Sequence, residues 1–235
     1  MHIVLIPPLL CSPRVYAPAL DDLWEYGQLS IADTRRDDTI AEMAERILRE
    51  APDEIAVIGT SMGGYVALEV VRQAPERVTA LALVSTQARS DTQEETQARE
   101  KQFELIGQGQ FDALVDAAFP GIVAPYNATN LDMLATWRAM AATVGAEAYL
   151  RQLRAVMDRS DFTALLPTIT CPTAIIHGAD DRYIPVAEAR ESAAAMPTAR
   201  FTIIPGAGHF VFHEQPTAAS TALSELLGDV ARKRR

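Results

Sequence analysis

Three short stretches of the sequence place a hydroxyl, a carboxyl and an imidazole next to glycines. They are GTSMG (59–63), GADDRYIP (178–185) and PGAGH (205–209). A serine hydroxyl becomes an effective nucleophile when a base removes its proton and a third group orients that base. Ser61, His209 and one of the aspartates therefore have the residue types needed for attack on a carbonyl carbon.

The glycines around Ser61 indicate a sharp turn between a strand and a helix. The apolar run EIAVIG (54–59) leads into the serine, and the helical pattern GGYVALEVVRQAP (63–75) follows it. Side chains two residues before and two after such a serine would collide with the strand and the helix, so glycine is needed at both places. The backbone N–H of Met62 then faces the reacting group from the helix N-terminus.

The G-x-S-x-G pattern alone has low specificity. On composition, two glycines and a serine at this spacing arise by chance in about one chain in ten of this length. A glycine-rich turn between a strand and a helix also occurs in phosphate-binding loops. Here no lysine followed by serine or threonine comes after the turn, and G-x-G-x-x-G is missing, so the sequence favours a nucleophile.

Four histidines are candidates for the base. His2 begins the first predicted strand, at the wrong edge of the sheet, and His177 ends a strand, where we expect it to be buried. His209 follows a strand in a glycine-rich turn, from which an imidazole can reach over the sheet edge. His213 lies four residues later and suggests a metal pair, but neither a third ligand cluster nor H-E-x-x-H accompanies it. We therefore predict no metal site.

The acid lies at Asp180 or Asp181. Adjacent side chains point in different directions, so one carboxylate can face His209 while the other is solvated or caps the next helix. With either aspartate, the three groups occur along the chain in the order serine, aspartate, histidine.

Strand-like and helix-like patterns alternate along most of the chain. Apolar runs predict strands at residues 2–6, 29–33, 54–59, 78–85, 173–178 and 200–206. Strands separated by helices predict a parallel sheet covered on both faces, and ligands of such sheets bind beyond the carboxyl ends of the strands. Each glycine-rich stretch lies at such an end. Residues 87–168 hold helical patterns alone, among them 130–144 and 147–157, and indicate an insertion at one edge of the active face.

The composition fits one globular domain and limits its partners. The chain has 235 residues, 49% of them apolar, and a net charge of −10. Such an acidic surface repels phosphate backbones and anionic lipids, so we expect neither nucleic-acid nor membrane binding. No apolar run is long enough to cross a bilayer, and the first residues lack the basic region of a signal peptide. The two cysteines, Cys11 and Cys171, fit a reducing cytoplasm.

Three longer stretches resemble the α/β-hydrolase fold family, and in particular small bacterial serine hydrolases of the carboxylesterase type. They are GTSMGGYVALEVVRQAPERV (59–78), CPTAIIHGADDRYIP (171–185) and IPGAGHFVFHEQP (204–216). The order serine, aspartate, histidine is also that of the family. The resemblance implies a mostly parallel sheet of about six strands with helices on both faces, without the leading β-hairpin. It further implies a core of residues 1–86 and 169–235, a helical cap of residues 87–168, and, from the family's G-x-x-D pattern, Asp181 as the acid.

The resemblance also implies an oxyanion hole built from two backbone N–H groups, one of them from Met62. The family usually carries His-Gly at the end of its first buried parallel strand, and the next residue donates the second N–H. Here the sequence reads Pro7-Pro8-Leu9, so Leu9 takes the donor position. Proline has no N–H, but leucine has one. Leu10 is a less favoured candidate for the donor.

We expect apolar residues beside the nucleophile and on the cap to line the substrate pocket, namely Leu10, Tyr65, Trp137, Phe210 and Val211. They predict a small, partly apolar substrate. The sequence thus predicts a cofactor-free serine hydrolase that cleaves a carboxylic ester or thioester through an acyl-enzyme. C–C bond hydrolysis and perhydrolysis use the same triad and stay open, as does a non-catalytic ligand-binding protein of the same fold. The oligomeric state also stays open, a homodimer included.

Overall fold

The computed structural model describes residues 1–233, and one six-stranded sheet forms its centre. The strands are β1 (His2–Ile6), β2 (Gln28–Ile31), β3 (Ile55–Thr60), β4 (Val78–Val84), β5 (Thr173–Gly178) and β6 (Arg200–Ile204). Their order is β2-β1-β3-β4-β5-β6, and all neighbouring pairs are parallel. The six predicted strands are confirmed, with ends that differ by no more than two residues. Residues 234 and 235 of the predicted core lie outside the described residues.

Helices connect the strands and cover both faces of the sheet. They are α1 (Leu20–Trp24), α2 (Ile40–Glu50), α3 (Met62–Gln73), α4 (Gln93–Gly107), α5 (Phe111–Ile122), α6 (Leu131–Met157), α7 (Val186–Ala195), α8 (Val211–Glu214) and α9 (Pro216–Lys233). α2, α3 and α7 pack on one face, whereas α1 and α9 pack on the other. Within residues 1–233, no helix combines the length and the apolar character that crossing a bilayer requires.

The central strands are almost entirely apolar because both faces of the sheet are covered. Every residue of β3 is buried. Ile55 and Val57 pack with α2 and α3, whereas Ala56 and Ile58 face the opposite cluster with α9. Side chains alternate between the two faces of a strand, so a strand covered on both sides has no positions that face solvent. The predicted α/β-hydrolase type of fold, with helices on both faces, is confirmed.

Three helices, α4, α5 and α6, lie between β4 and β5, in the stretch predicted as an insertion. We call them the cap helices. The sequence predicted separate helices at 130–144 and 147–157, whereas the structure joins them into α6, with a kink at Gly145. The φ of Gly145 is 77°, a backbone conformation that glycine adopts without strain.

A buried cluster of charges joins the two ends of the predicted insertion, residues 87–168. Asp91 accepts hydrogen bonds from Arg99 of α4 and from Arg159, which follows α6, both at 2.6 Å. The three side chains are no more than 9% exposed. Because an unpaired buried charge is costly, the pairing of both guanidinium groups with one carboxylate holds the two ends of the insertion together.

The first turn of α3 lies against the end of β1 with no room for a side chain between them. A Cβ atom at Gly63 would lie 2.0 Å from the carbonyl oxygen of Ile6, and one at Gly59 would lie 2.2 Å from the carbonyl oxygen of Gly63. Carbon and oxygen atoms do not approach so closely, so both positions require glycine. This contact determines where the turn between β3 and α3 lies.

Replacing Gly63 by alanine is expected to destabilise the protein by about 2 kcal/mol or more, because the added methyl group must displace backbone atoms of β1. The matched control is Gly121→Ala in α5, where the added methyl group meets no other atom within 4 Å. That variant should unfold at the wild-type urea concentration or slightly above it, since alanine favours a helix over glycine by up to about 1 kcal/mol. Urea unfolding followed by circular dichroism measures both. Equal midpoints for the two variants would contradict the steric constraint.

Candidate active site

Ser61 occupies a strained turn between β3 and α3. Its φ of 52° and ψ of −117° lie outside the regions that residues other than glycine usually adopt. Its N–H donates to the carbonyl of Val84 (2.9 Å), and its own carbonyl accepts from the hydroxyl of Thr86 (2.8 Å). The end of β4 and the residues after it therefore hold the strained backbone. The turn presents the serine hydroxyl at the N-terminus of α3.

The structure brings Ser61, His209 and Asp181 into one hydrogen-bonded chain. Oγ of Ser61 lies 2.9 Å from Nε2 of His209, and Nδ1 of His209 lies 2.7 Å from Oδ2 of Asp181. All three side chains are buried, whereas the neighbouring Asp180 is exposed. These distances allow the imidazole to take the serine proton while the carboxylate fixes the orientation and the tautomer of the ring.

The groups around Asp181 keep its carboxylate ionised. Oδ1 accepts backbone N–H bonds from Tyr183 and Ile184, both at 2.9 Å. Nε2 of His177 lies 3.4 Å from Oδ2 and donates to the carbonyl of Ile184 (2.8 Å). Burial alone would raise the pKa of Asp181, but the charge of His209 and the imidazole groups of His177 and His209 lower it well below its usual range. His177 is fully buried, where the sequence placed it, and it supports the acid.

A buried carboxylate holds the loop that carries His209. Oε2 of Glu214 accepts the N–H of Gly208 (2.7 Å), and Oε1 accepts the N–H of Ala124 (2.6 Å). The N–H of His209 itself donates to the carbonyl of Ile122, at the end of α5 (2.7 Å). The histidine is thus positioned by the cap helices as well as by the sheet. Sequence reasoning missed Glu214, because nothing in the chain indicates which backbone groups an inward-facing acid will meet.

The loop after β1 makes a tight turn that distinguishes the two candidate oxyanion donors, Leu9 and Leu10. The N–H of Cys11 donates to the carbonyl of Pro8 (3.2 Å) and closes the turn. Leu10 has a φ of 62°, a conformation that glycine usually supplies at this position of a turn. Its N–H donates to Oε1 of Gln152 (3.0 Å) and is thereby occupied. Within residues 1–233 the N–H of Leu9 has no acceptor, so Leu9 is the donor that remains free.

Gln152 connects three parts of the molecule behind the cavity. Its side chain is fully buried in α6. Besides accepting from Leu10, it donates through Nε2 to the hydroxyl (3.0 Å) and the carbonyl (3.3 Å) of Thr34. One amide therefore joins the cap helices, the turn after β1 and the loop after β2. Sequence reasoning missed Gln152 for the same reason as Glu214: the helical pattern shows that a position faces inward, but not what it faces.

A cavity of about 320 Å³ lies beside Ser61 and His209, and most of its walls are apolar. Four of the five predicted pocket residues line it, namely Leu10, Trp137, Phe210 and Val211. The predicted donor Leu9 lines it too. The sequence did not identify the wall formed by α4 and the start of α5, which includes Ala98, Lys101, Gln102, Leu105 and Leu114.

The prediction that Tyr65 lines the pocket is wrong. Its side chain is buried on the opposite face of the sheet, and the guanidinium of Arg159 lies over its ring, 4.2 Å from the centroid. Tyr65 follows Ser61 by one helical turn, which carries its side chain below the sheet edge and into the core. The side chain of Met62 is buried on the same face, so only its backbone N–H, at the start of α3, is available to the site.

Tyr183 covers the catalytic imidazole, and sequence reasoning did not identify it. The ring centroids of Tyr183 and His209 lie 4.9 Å apart. Arg99 of α4 donates to the hydroxyl of Tyr183 (3.4 Å). The loop that carries the acid therefore also provides a wall of the cavity and contacts the cap helices.

The other two histidines, His2 and His213, lie outside this cluster. Nε2 of His2 contacts the hydroxyl of Ser30 (2.9 Å). The ring of His213 stacks on Phe210 at 4.2 Å between centroids, and its Nε2 contacts the carbonyl of Arg14 (3.1 Å). Within the described part of the chain, no three His, Cys, Asp or Glu side chains converge closely enough to hold a metal ion. The thiol of Cys11 lines the cavity, and burial raises the pKa of this thiol well above its usual range.

Known proteins resemble this chain over most of its length. The family model described as alpha/beta hydrolase fold matches residues 17–216. A pimeloyl-[acyl-carrier protein] methyl ester esterase of Aromatoleum aromaticum is 26% identical, over 95% of this chain and 91% of the relative. A putative non-heme bromoperoxidase, BpoC, of Mycobacterium tuberculosis is 33% identical, over 74% of this chain and 68% of the relative. The solved structure of a thermophilic esterase from Thermogutta terrifontis has a TM-score of 0.89 at 23% identity, with 98% and 90% of the two chains covered.

The chain belongs to the alpha/beta hydrolase fold family. The family match extends from before α1 to the start of α9 and includes the turns that carry Ser61, Asp181 and His209. The fold resembles that of a solved esterase, and the sequence resembles that of a curated one. The protein is a hydrolase.

Replacing Gln152 by methionine is expected to lower kcat for a 4-nitrophenyl ester about tenfold or more, with little change in KM. The variant keeps the side-chain length but leaves the N–H of Leu10 buried without an acceptor, so the turn relaxes and the N–H of Leu9 moves. The variant should bind a boronic acid, which mimics the tetrahedral intermediate, more weakly than the wild type does. Its KM for the ester should change less than this inhibition constant. Steady-state kinetics and inhibition constants measure these effects.

Gln73→Met is the matched control for this substitution. Gln73 also donates through its amide, to the carbonyl of Ala41 (3.2 Å) and to Glu69 (2.7 Å), but it lies at the far end of α3. We expect its loss to lower the free energy of unfolding by about 1 kcal/mol without changing kcat. If the two variants lost stability alike and both kept wild-type kcat, Gln152 would have no role in positioning the turn.

Proposed function

We propose that this hydrolase cleaves a carboxylic ester or thioester of a small, partly apolar molecule through an acyl-enzyme. The observation that carries the proposal is the continuous hydrogen-bonded chain from Ser61 through His209 to Asp181, beside an apolar cavity. The strained turn places the hydroxyl at the cavity wall, and the neighbouring N–H groups of Met62 and Leu9 belong to the two segments that flank it.

Acylation begins with proton transfer from Ser61 to Nε2 of His209, while Oγ attacks the substrate carbonyl carbon. The ionised Asp181 stabilises the imidazolium that forms, because its Oδ2 accepts the Nδ1–H bond. The N–H groups of Met62 and Leu9 bind the tetrahedral oxyanion. Each such donor contributes roughly 3–4 kcal/mol to transition-state stabilisation in enzymes of this kind. His209 then protonates the leaving oxygen or sulfur, and the acyl group remains on the serine.

Deacylation repeats the same steps with water as the nucleophile. His209 removes a proton from water, water attacks the acyl carbonyl, and the same two N–H groups hold the second oxyanion. The proton returns to Oγ of Ser61 as the acid leaves. No cofactor takes part in this proposal.

The cavity supports a substrate of modest size. Its volume of about 320 Å³ lies at the small end of the range for ligand sites, and leucine, alanine and aromatic side chains form most of its walls. A curated relative is named as a methyl ester esterase, and a structural neighbour as an esterase. Both names support ester hydrolysis as the reaction. Thioester hydrolysis stays within the proposal, because the same triad and the same donors serve it.

A second candidate function is perhydrolysis, in which hydrogen peroxide replaces water as the nucleophile on the acyl-enzyme. The name of the relative that is 33% identical, a putative non-heme bromoperoxidase, favours it over C–C bond hydrolysis, which uses the same triad and stays open. A non-catalytic ligand-binding role is disfavoured, because the buried triad has complete hydrogen bonds. A small-molecule substrate, a cytoplasmic location and the absence of nucleic-acid or membrane partners remain predictions.

Replacing Ser61 by alanine should lower kcat by about 10⁴-fold or more, and Asp181→Asn should lower it by about 10³- to 10⁴-fold. The control is Asp180→Asn, since this exposed carboxylate makes no contact with His209, and its variant should keep wild-type kcat. In addition, a fluorophosphonate probe should label the wild type and leave the Ser61→Ala variant unlabelled, because the probe reacts with an activated serine.

Pre-steady-state assays with 4-nitrophenyl esters test the acyl-enzyme directly. A burst of nitrophenol equal to the enzyme concentration is expected for the wild type. Full activity of Ser61→Ala would reject the proposal, and loss of activity in Asp180→Asn alone would reassign the acid. Faster formation of peracid than of acid at matched peroxide concentrations would favour the second candidate function.

A further inference from the structure

Among the described residues, the one formally charged side chain that lines the cavity is opposite in sign to the net charge of the protein. The chain carries a net charge of −10. Among the described residues, the cavity walls include one lysine, Lys101, and no aspartate, glutamate or arginine. Lys101 is one of only two lysines in the sequence, the other being Lys233. An anionic group is thus disfavoured over most of the protein surface and favoured at this cavity.

The lysine belongs to a regular face of α4. The residues of α4 that line the cavity are Ala98, Lys101, Gln102 and Leu105, which follow the helical spacing of three, four and seven residues. Three of the four, including Lys101, are exposed, so this face forms the rim where the cavity meets solvent. Two polar side chains, those of Lys101 and Gln102, therefore line the cavity between apolar neighbours on α4.

The middle of the same helix contacts the tyrosine that packs on His209. Arg99 reaches Tyr183, whose ring covers His209. The position of Lys101 and Gln102 is about one helical turn, or roughly 5 Å, beyond Ala98 along the helix axis. A substrate that extends from Ser61 along this wall therefore has both apolar side chains and these two polar ones within the cavity lining.

Neither polar group is fully engaged within the protein. In the described part of the chain, no carboxylate lies within ion-pair distance of Lys101, although Glu100 and Glu104 are its neighbours on α4. The carbonyl oxygen of Gln102 accepts the hydroxyl of Tyr149 (2.7 Å), while its amide N–H groups have no acceptor among the same residues. The α4 wall thus offers an ammonium group and an amide N–H group to the cavity. A carboxylate, with two acceptor oxygens, matches this pair.

We infer that one half of the ester substrate is an apolar chain that ends in a carboxylate, as in the half-ester of a dicarboxylic acid. The apolar chain lies in the cavity, and the carboxylate stays at the rim, where Lys101 and Gln102 bind it. Because the rim is open to solvent, the anion keeps part of its hydration and avoids the cost of full burial. This inference rests on the proposed ester hydrolysis at Ser61.

The test compares substrates that differ in the terminal group alone. Mono-4-nitrophenyl adipate is paired with 4-nitrophenyl hexanoate, which has a methyl group in place of the carboxylate. For the leaving-group side, the acetate ester of 6-hydroxyhexanoic acid is paired with that of hexan-1-ol. The measured quantity is kcat/KM of the carboxylate substrate divided by kcat/KM of the methyl substrate in the same pair, so general losses of activity cancel. The pair whose ratio depends on Lys101 shows which half of the substrate carries the anion.

Lys101→Met is expected to lower this ratio about fivefold, mainly through KM, as befits a partly solvated ion pair. Lys101→Arg should keep the ratio within about twofold of the wild type, since it retains the charge. Added sodium chloride should lower the ratio for the wild type and leave that of Lys101→Met unchanged, because salt screens an exposed ion pair. Lys233→Met, at the end of α9 and outside the cavity walls, removes the same charge and should not change the ratio.

The outcomes separate this inference from the proposed function. If the wild type shows a burst and fluorophosphonate labelling at Ser61 but Lys101→Met keeps the wild-type ratio for both pairs, the carboxylate inference is rejected and ester hydrolysis stands. If the wild type shows neither labelling nor turnover of any ester, the proposed function fails, and this inference fails with it. An equal drop of the ratio in Lys101→Met and Lys233→Met would assign the effect to net charge and also reject it.

Discussion

The contact between the first turn of α3 and the end of β1 is the constraint on which the site depends. The carbonyl of Ile6 lies where a side chain of Gly63 would be, so helix and strand meet backbone to backbone. At that separation, the turn between β3 and α3 can close only with the strained backbone of Ser61. Strain at this residue is tolerated because neighbouring strands supply its hydrogen bonds, and the result is a hydroxyl fixed at the sheet edge.

Two buried polar side chains position the loop of His209 and the turn after β1 relative to this hydroxyl. Glu214 holds the loop of His209 against the end of α5, and Gln152 holds the turn after β1 against α6. Each satisfies several backbone or hydroxyl groups that would otherwise be buried without partners, which is costly. The cap helices therefore do more than cover the cavity. They determine where the loop of His209 and the turn that contains Leu9 lie relative to Ser61, so the geometry of the site and the shape of the cavity are set by the same contacts.

The core and the cap helices supply different charged groups to the site. The core keeps Asp181 ionised through imidazole and backbone N–H groups, which lower the pKa of the carboxyl group despite its burial. The cap helices supply a wall of the cavity and, with it, the one lysine that lines the cavity among residues 1–233. Ser61, Asp181 and His209 thus lie at the edge of the sheet, whereas α4 supplies Lys101 and part of the cavity wall.

The sequence by itself determined the six strands, the glycine-flanked serine and the order serine, aspartate, histidine, because strand periodicity and close backbone contacts leave local signatures. It left the acid open between Asp180 and Asp181, and it did not determine what inward-facing helical positions would meet. Tyr65, expected at the pocket, packs in the core, whereas Gln152 and Glu214 gave no sign of their contacts. Their partners lie many residues away, and helical periodicity shows only that a position faces inward. Which backbone group, charge or cavity lies there is decided by how the helices pack on the sheet, and only the tertiary structure contains that information.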